Sequence, residues 1–382
     1  MDFANLSPYM KPVNVSWHPE FDDHELMLEI KHPSGLRAFI SFHRFFFHPC
    51  LDRLSTLGGT RFCDYLTEYD AITDVLRLSR AMTYKAALAG INFGGAKAVV
   101  MGKPEDRDRP ISQEMQKILS VYAEYLNLLD GGFVTAEDMN FHEKYLTFMR
   151  RLTRWAAGEG KEAGGTGDPA RHTAHGVYLG IKSGLSELYG ERKTLANFSI
   201  AIQGVGGVGL ALAKLLQADG AILYLAETKD AQIERARQAL GSVLIMSPKK
   251  IHTLPVAVYS PCAMGAVLNE NTIHELSCSV VAGGANNQLD TPENGELLHK
   301  RGILYAPDYV INAGGLMSVA REFDPLSTDR NSAPENLALI PQNLSRIWSM
   351  SKEKDIPPNV VADEIAEELI AEKLRERNSK VL

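Results

Sequence analysis

The stretch Phe198-Ser-Ile-Ala-Ile-Gln-Gly-Val-Gly-Gly-Val-Gly209 decides the fold. Its first six residues read as a short apolar strand, and the glycines that follow end it. Leu210, Leu212, Ala213, Leu215 and Leu216 then recur at helical spacing up to Asp219-Gly220. A second apolar run, Ala221-Ile-Leu-Tyr-Leu-Ala226, closes at Glu227. Strand, glycine loop, helix, strand and terminal acid is the order of a dinucleotide-binding unit. Gly204 permits the tight turn, Gly206 lets a pyrophosphate reach the helix N-terminus, and Gly209 allows close helix–sheet packing. Gly207 and Val208 complete the loop and count with it as cofactor-binding. A lone G-x-G-x-x-G arises by chance, so the correct flanks on both sides carry the reading. Glu227 is placed to accept hydrogen bonds from the adenosine ribose hydroxyls, and its charge repels a 2′-phosphate. NAD is therefore expected over NADP, with neighbouring Lys229 pulling the other way.

Upstream, Met82-Thr-Tyr-Lys-Ala-Ala-Leu-Ala-Gly-Ile-Asn-Phe-Gly-Gly-Ala-Lys97 carries two lysines on either side of a glycine-rich turn. Lys85 closes a segment in which Ile72, Val75, Leu76, Leu78, Met82 and Ala86 recur at helical spacing, and Thr67 with Asp70 forms a capping box at its start. Gly90, Gly94 and Gly95 break that helix, and Lys97 opens an apolar strand, Ala98-Val-Val-Met101. Two ammonium groups delivered from a helix end and a strand start can converge on one small anion, and the glycines let a substrate approach the backbone. The competing reading is two unrelated surface lysines, the usual fate of Lys. The dinucleotide unit downstream tips the balance toward a site.

The chain has 382 residues, too many for one ordinary core, so two domains are expected. A net charge of −7, with no basic stretch interleaved with aromatics, argues against nucleic acid as a partner. No run approaches the ~20 apolar residues that span a bilayer, and the N-terminus lacks the pattern of a signal peptide. Cys50, Cys63, Cys262 and Cys278 are scattered with no metal-ligand spacing, and the histidines form no ligand cluster. The cysteines read as buried or partly buried thiols, no metal is expected, and a cytoplasmic location follows from the reducing compartment this implies.

Two alternating runs, Glu25–Ile30 and Leu36–Phe42, joined through Pro33-Ser-Gly35, predict a hairpin. Helices are expected around 68–89 and 112–128, then a short strand Phe133-Val-Thr135 leading into Ala136-Glu137-Asp138. Residues 156–169, rich in glycine, are suited to a flexible connection. Apolar runs at Val256–Tyr259, Val280–Ala282 and Ile303–Tyr305 alternate with helical or loop segments, as a parallel doubly wound sheet requires. Val360 to Arg377 reads as an amphipathic charged helix.

These residues together resemble the amino acid dehydrogenases of the glutamate/leucine/phenylalanine/valine group, most closely the leucine dehydrogenase branch. The likeness lies in Leu57-Gly-Gly-Thr-Arg61, Met82–Lys97, Thr135-Ala-Glu-Asp138, Gly204–Gly209, Pro261-Cys-Ala263, Ala285-Asn-Asn-Gln-Leu289 and Ala306-Pro-Asp-Tyr-Val-Ile-Asn-Ala-Gly-Gly315. The resemblance implies an α/β fold of two domains separated by a cleft. An N-terminal α/β substrate-binding and oligomerisation domain takes residues 1–155 plus 351–382, and a Rossmann-type NAD domain takes 156–350. It also implies a homo-oligomer, dimer or octamer, with the N-terminal hairpin a candidate for subunit contacts.

By the same resemblance Lys85 pairs with the substrate α-carboxylate. Lys97 is the catalytic lysine, its pKa lowered by neighbouring cationic charge and desolvation. Asp138 exchanges a proton with the amino or imino nitrogen. Thr173 lies near the nicotinamide carboxamide, and Asn286 and Asn287 both fall where family asparagines contact cofactor or substrate. Leu57, Gly58, Met82, Ala136, Leu316 and Val319 would line the side-chain end of the substrate pocket. Glutamate-specific relatives place a lysine at Leu57 and a hydroxyl at Val319. A γ-carboxylate against these two apolar side chains would cost several kcal/mol. The expected activity is reversible oxidative deamination of a branched aliphatic L-amino acid to the 2-oxo acid and ammonia. Gly58 and Ala136 leave room at the far end, which keeps phenylalanine or tryptophan open. The residues after Asp138, Met139-Asn-Phe-His142, are atypical of the family, and Phe141 is expected to narrow or reshape the cleft. They motivate the alternative of a catalytically weak, NAD-binding regulatory relative.

Overall fold

The computed structural model describes residues 7–158, 168–191, 193–324 and 333–381. The chain divides into two compact units. Unit 1 is Met1–Gly167, Val319–Ser332 and Glu368–Leu382, and unit 2 is Asp168–Ser318 and Ala333–Glu367.

In unit 1 the described strands are β1 (Met10–Pro12), β2 (Leu26–Lys31), β3 (Arg37–Arg44), β4 (Phe46–His48), β5 (Arg53–Cys63), β6 (Gly94–Met101) and β7 (Phe133–Ala136). They form one sheet in the order β1-β2-β3-β6-β5-β4, with β7 also paired to β5. The expected hairpin is β2–β3, antiparallel from Leu26↔Phe42 to Lys31↔Arg37. The 11-residue strand β5 runs parallel to β6 along one side. Its other side meets β4 antiparallel and then β7 parallel.

Helix α1 (Glu68–Leu88) starts at the predicted capping box, where the Thr67 hydroxyl and the Asp70 carboxylate each satisfy the other's backbone N–H. Its buried face, Ala71, Ile72, Val75 and Leu76, packs with Met27, Phe39 and Val99 from the sheet. Each of the larger side chains, Ile72, Val75 and Leu76, contributes about 1.5–3 kcal/mol by leaving water. Lys97 does not open β6, as the apolar run suggested, but lies inside it. Gly94 and Gly95 already pair with Thr56 and Leu57, and a side chain at Gly95 would collide with Thr83 of α1. The glycines that read as a helix break are thus also the close-approach point of helix and strand. Helices α2 (Gln113–Leu128, capped by Ser112) and α3 (Glu143–Met149) complete the described helical layer of the N-terminal segment.

Unit 2 holds β8 (Ser199–Gln203), β9 (Ile222–Ala226), β10 (Leu244–Met246), β11 (Val256–Pro261), β12 (Cys278–Val281) and β13 (Leu304–Tyr305). Their order is β10-β9-β8-β11-β12-β13, and every pairing is parallel. The chain winds one way from β8 and then back the other way from β11, so the carboxyl end of β8 is the topological switch point where such sheets bind ligands. Helices α4 (Ala170–Tyr189) and α5 (Gly207–Ala218) pack together in this unit.

The unit boundaries differ from those expected. The return to unit 1 comes at Glu368, within the C-terminal helix Pro358–Val381, and not at 351. The reason is burial: Val361, Ala362, Ile365 and Ala366 are core residues, whereas Lys373 bonds Asn92, and Arg377 bonds Glu25 and the Phe45 carbonyl. The segment Val319–Ser332 also belongs to unit 1. There Phe323 packs on Phe93 and Trp155, and Glu322 accepts the Gly158 N–H. Of the glycine-rich connection expected over 156–169, residues 159–167 lie outside the described residues. Cys50 is exposed, contrary to the buried or partly buried state expected of all four thiols. Among the described residues, no helix is long and apolar enough to cross a membrane, and no group of three or more His, Cys, Asp or Glu side chains could hold a metal.

Candidate active site

In unit 1 three strands deliver a cluster to one face of the sheet. Successive side chains alternate across a strand, so Leu57, Gly59 and Arg61 of β5 share a face. In the parallel register Leu57 stands opposite Gly95 and Arg61 opposite Val99, which sets Gly59 level with Lys97 of β6. Gly59 is also the partner of Ala136 on β7, two residues before Asp138.

Lys97 is only 6% exposed, and an ammonium so far from water needs a partner. It has one: Nζ donates to Asp138 Oδ2 in a close ion pair. The other oxygen, Oδ1, accepts the Met139 N–H at 2.5 Å and faces Arg61 Nε at 3.4 Å. Burial pushes the Asp138 carboxyl up. The charges of Lys97 and Arg61, with the Lys97 and Met139 hydrogen bonds, outweigh it and hold the group at about 2. Asp138 is therefore held as a carboxylate, a proton acceptor beside the Lys97 amine in a desolvated setting.

Gly59 makes this contact possible. A Cβ there would stand 2.8 Å from the Glu137 carbonyl oxygen and 2.9 Å from Asp138 Cβ. Gly58 has a different reason. Its missing Cβ points at the Ala96 carbonyl of β6, so it serves the close approach of two strands. Phe141 is corrected. It is fully buried between Tyr122 and Tyr145, in the core and not in a cleft. Asn140 adopts φ 59°, a left-handed conformation that Asn tolerates, and its Nδ2 donates to the Phe62 carbonyl. The atypical residues after Asp138 thus stitch its turn to the end of β5.

Of the remaining expected residues in unit 1, Met82 and Lys85 sit on the last turns of α1, on either side of Thr83, which lies against Gly95. Leu57 and Val319 are buried, and Ala136 is half-buried at the end of β7. Leu316 belongs to unit 2.

In unit 2 the glycine loop has the form its sequence predicts. Gly204 turns with φ 96°, α5 begins at Gly207, and a Cβ on Gly209 would overlap the Gly204 carbonyl. Nothing lies within 4 Å of where a Gly206 Cβ would stand, so that backbone is open to a phosphate. Val208 packs at the base of the loop, where a Cβ on Gly284 would meet it. Glu227 is anchored beside the loop, accepting the N–H groups of Val205 (3.1 Å), Thr228 (2.7 Å) and Lys229 (3.2 Å). Burial pushes its carboxyl up, and these bonds more than offset that and hold it below the ordinary value. Thr173 Oγ1 donates to the Pro169 carbonyl, next to Gly315. Asn286 Oδ1 accepts from Asn312 Nδ2 at 2.8 Å, and Asn287 is exposed with φ 50°. These residues fit a dinucleotide: an open phosphate cradle at a helix start and a fixed carboxylate at the end of the next strand.

Residues 24–155 match the family model described as Glu/Leu/Phe/Val dehydrogenase, dimerisation domain, and residues 221–377 match Glutamate/Leucine/Phenylalanine/Valine dehydrogenase. The leucine dehydrogenase of Thermoactinomyces intermedius is 37% identical over 363 residues, covering 95% of this chain and 94% of that protein. The chain belongs to the Glu/Leu/Phe/Val dehydrogenase family. It is an amino acid dehydrogenase of that family. The valine dehydrogenase of Streptomyces albus is 36% identical, covering 94% of this chain and 96% of its own. Among solved structures, the L-tryptophan dehydrogenase of Nostoc punctiforme superposes with a TM-score of 0.76 at 34% identity, over 92% of this chain and 97% of that one. The hetero-hexameric glutamate dehydrogenase of Thermus thermophilus shares the fold, with a TM-score of 0.71 at 20% identity over 96% of this chain and 89% of its own.

For this family member, sequence reading assigned no role to Gly59, Arg61, Asp74 or Tyr65. The signal was present in Leu57-Gly-Gly-Thr-Arg61, where alternation puts positions 57, 59 and 61 on one face.

Proposed function

We propose that this dehydrogenase catalyses the reversible, NAD-dependent oxidative deamination of a branched aliphatic L-amino acid to its 2-oxo acid and ammonia. The observation that carries the reading is the buried Lys97–Asp138 pair, in a chain 36–39% identical to leucine and valine dehydrogenases. Asp138 takes a proton from the substrate amino group. After hydride has left the α-carbon, Lys97 assists the attack of water on the imine carbon, and Asp138 returns its proton to the nitrogen as ammonia leaves. Lys85 pairs with the α-carboxylate, fixing the α-carbon relative to both. The glycine loop, with Thr173 and the Asn286 and Asn287 segment toward the nicotinamide end, would hold the dinucleotide, which would supply the acceptor for the α-hydrogen as hydride. Leu57 and Val319, both buried and apolar, favour an aliphatic side chain over the γ-carboxylate of glutamate. The N-terminal unit is the proposed site of assembly into a homo-oligomer, dimer or octamer.

Incubating the purified protein with NAD and a panel of L-amino acids tests this directly through NADH absorbance. Leucine, valine or isoleucine should react fastest. Preference for glutamate would overturn the substrate assignment, as would preference for phenylalanine or tryptophan. Absence of turnover while NAD still binds would favour the regulatory alternative. Glu227→Gln should raise the Kd for NADH about tenfold, ~1.4 kcal/mol, and narrow the preference over NADPH. Unchanged affinities for both would remove Glu227 from cofactor recognition.

A further inference from the structure

Arg61 occupies a position that the reaction as proposed does not use, yet its guanidinium lies between two carboxylates. Nη1 donates to Asp74 Oδ1 at 3.0 Å and Oδ2 at 2.9 Å, and Nε faces Asp138 Oδ1 at 3.4 Å. Asp74, on α1, also accepts the Tyr65 hydroxyl at 2.5 Å. All four side chains are partly buried. The fork is therefore held at both ends: a two-point grip on the helix and a single contact on the acid that follows β7.

We infer that Arg61 is a positioning residue that pins Asp138 Oδ1 and so reserves Oδ2 as the oxygen that carries the proton. The inference rests on the proposed role of Asp138. Its two oxygens have separate surroundings. Oδ1 is taken by the Met139 N–H and the guanidinium, while Oδ2 accepts from Lys97. A carboxylate free to rotate would exchange these oxygens and move the accepting atom away from the amino nitrogen. The Asp74 clamp restrains the guanidinium from following, because Nη1 is held by both oxygens of that carboxylate while Nε faces Asp138. The charged and titratable groups facing this centre include Lys97 from β6, Arg61 from β5, and Asp74, Tyr65 and the Cys63 thiol behind the guanidinium. Arg61 is thus both the orienting group and one of the two cations that keep Asp138 ionised.

Two variants separate orientation from charge. Arg61→Gln should lower kcat by up to about 100-fold with little change in KM for the amino acid, since the side chain orients a catalytic group and does not hold substrate. It should also move the titration of Asp138 up by about 1–3 pH units. That titration is read from the carboxyl signals of carbon-13 aspartate-labelled enzyme, assigned by difference with Asp138→Asn. Arg61→Lys should bring the titration back down but restore kcat only in part, because an ammonium lacks the fork. Asp74→Asn keeps the guanidinium and removes its clamp, so kcat should fall without an upward titration. It carries the test should Arg61→Gln fold poorly. An Asp138 titration unchanged in Arg61→Gln, a rise in KM alone, or a wild-type kcat in Asp74→Asn would each overturn the inference. If the wild type oxidises no L-amino acid, the functional reading fails by itself, and the Asp138 titration still reports whether Arg61 governs that carboxyl.

Discussion

Lys97→Met should lower kcat for L-amino acid oxidation by about 10²–10⁴-fold, the range general acid–base groups supply, with NADH affinity almost unchanged. Methionine matches the lysine stem in length and removes only the ammonium. The proposed dinucleotide-binding loop lies in unit 2, so NADH affinity reports the integrity of that unit independently. The change leaves Asp138 without its nearest cation, and removing one member of a buried pair costs about 3–5 kcal/mol when nothing else serves the remaining charge. Here Arg61 and the Met139 N–H still face Asp138, so the loss of stability should be smaller than that. Steady-state kinetics with fluorescence titration of NADH checks both parts. A kcat near that of the wild type would remove Lys97 from the chemistry.

Gly59→Ala should cost about 10²-fold in kcat, as expected when a reacting group is displaced by roughly 1 Å. The added methyl has nowhere to go but against the Glu137 carbonyl and Asp138 Cβ, so the turn carrying the carboxylate must move away from Lys97. That turn lies beyond the last pairing of β7, so the displacement falls on the carboxylate and not on the strand pairing. Gly58→Ala is the contrasting change. Its methyl would enter the Ala96 carbonyl in the middle of the β5–β6 ladder, so it should lower the melting temperature before it alters kcat per folded molecule. Measuring kcat and melting temperature for both variants separates the two effects. Equal kcat losses at equal stability would show that the two glycines do not differ in role.

The parts of this molecule governed by short-range pattern were legible in the sequence. Strand β8, the glycine loop, α5 and β9 follow from apolar runs and turn residues within 30 positions of one another. The Thr67–Asp70 capping box and the β2–β3 hairpin are equally local. Asp138 and Lys97 were found through a resemblance spanning several motifs, although 41 residues separate them. What escaped depends on register and on helix placement. Whether Gly58 or Gly59 faces the carboxylate depends on which face of β5 lies under α1, and either choice satisfies the local pattern. Arg61 reaches Asp138 across 77 residues and Asp74 across 13, from a strand to a loop and from a strand to a helix. Phe141 looked like a cleft residue because it follows Asp138 closely. The left-handed turn at Asn140 instead sends it into the core against Tyr122 and Tyr145.

Strand β5 is flanked on both sides and supplies Leu57, Gly59 and Arg61 to the cluster. An interior strand exchanges its amide hydrogens slowly, because opening it requires neighbouring ladders to separate first. The placement of Asp138 is thus tied to the most cooperative part of its unit. Fraying at the outlying strand β1 leaves the cluster intact, and heat should extinguish turnover only when that whole sheet melts.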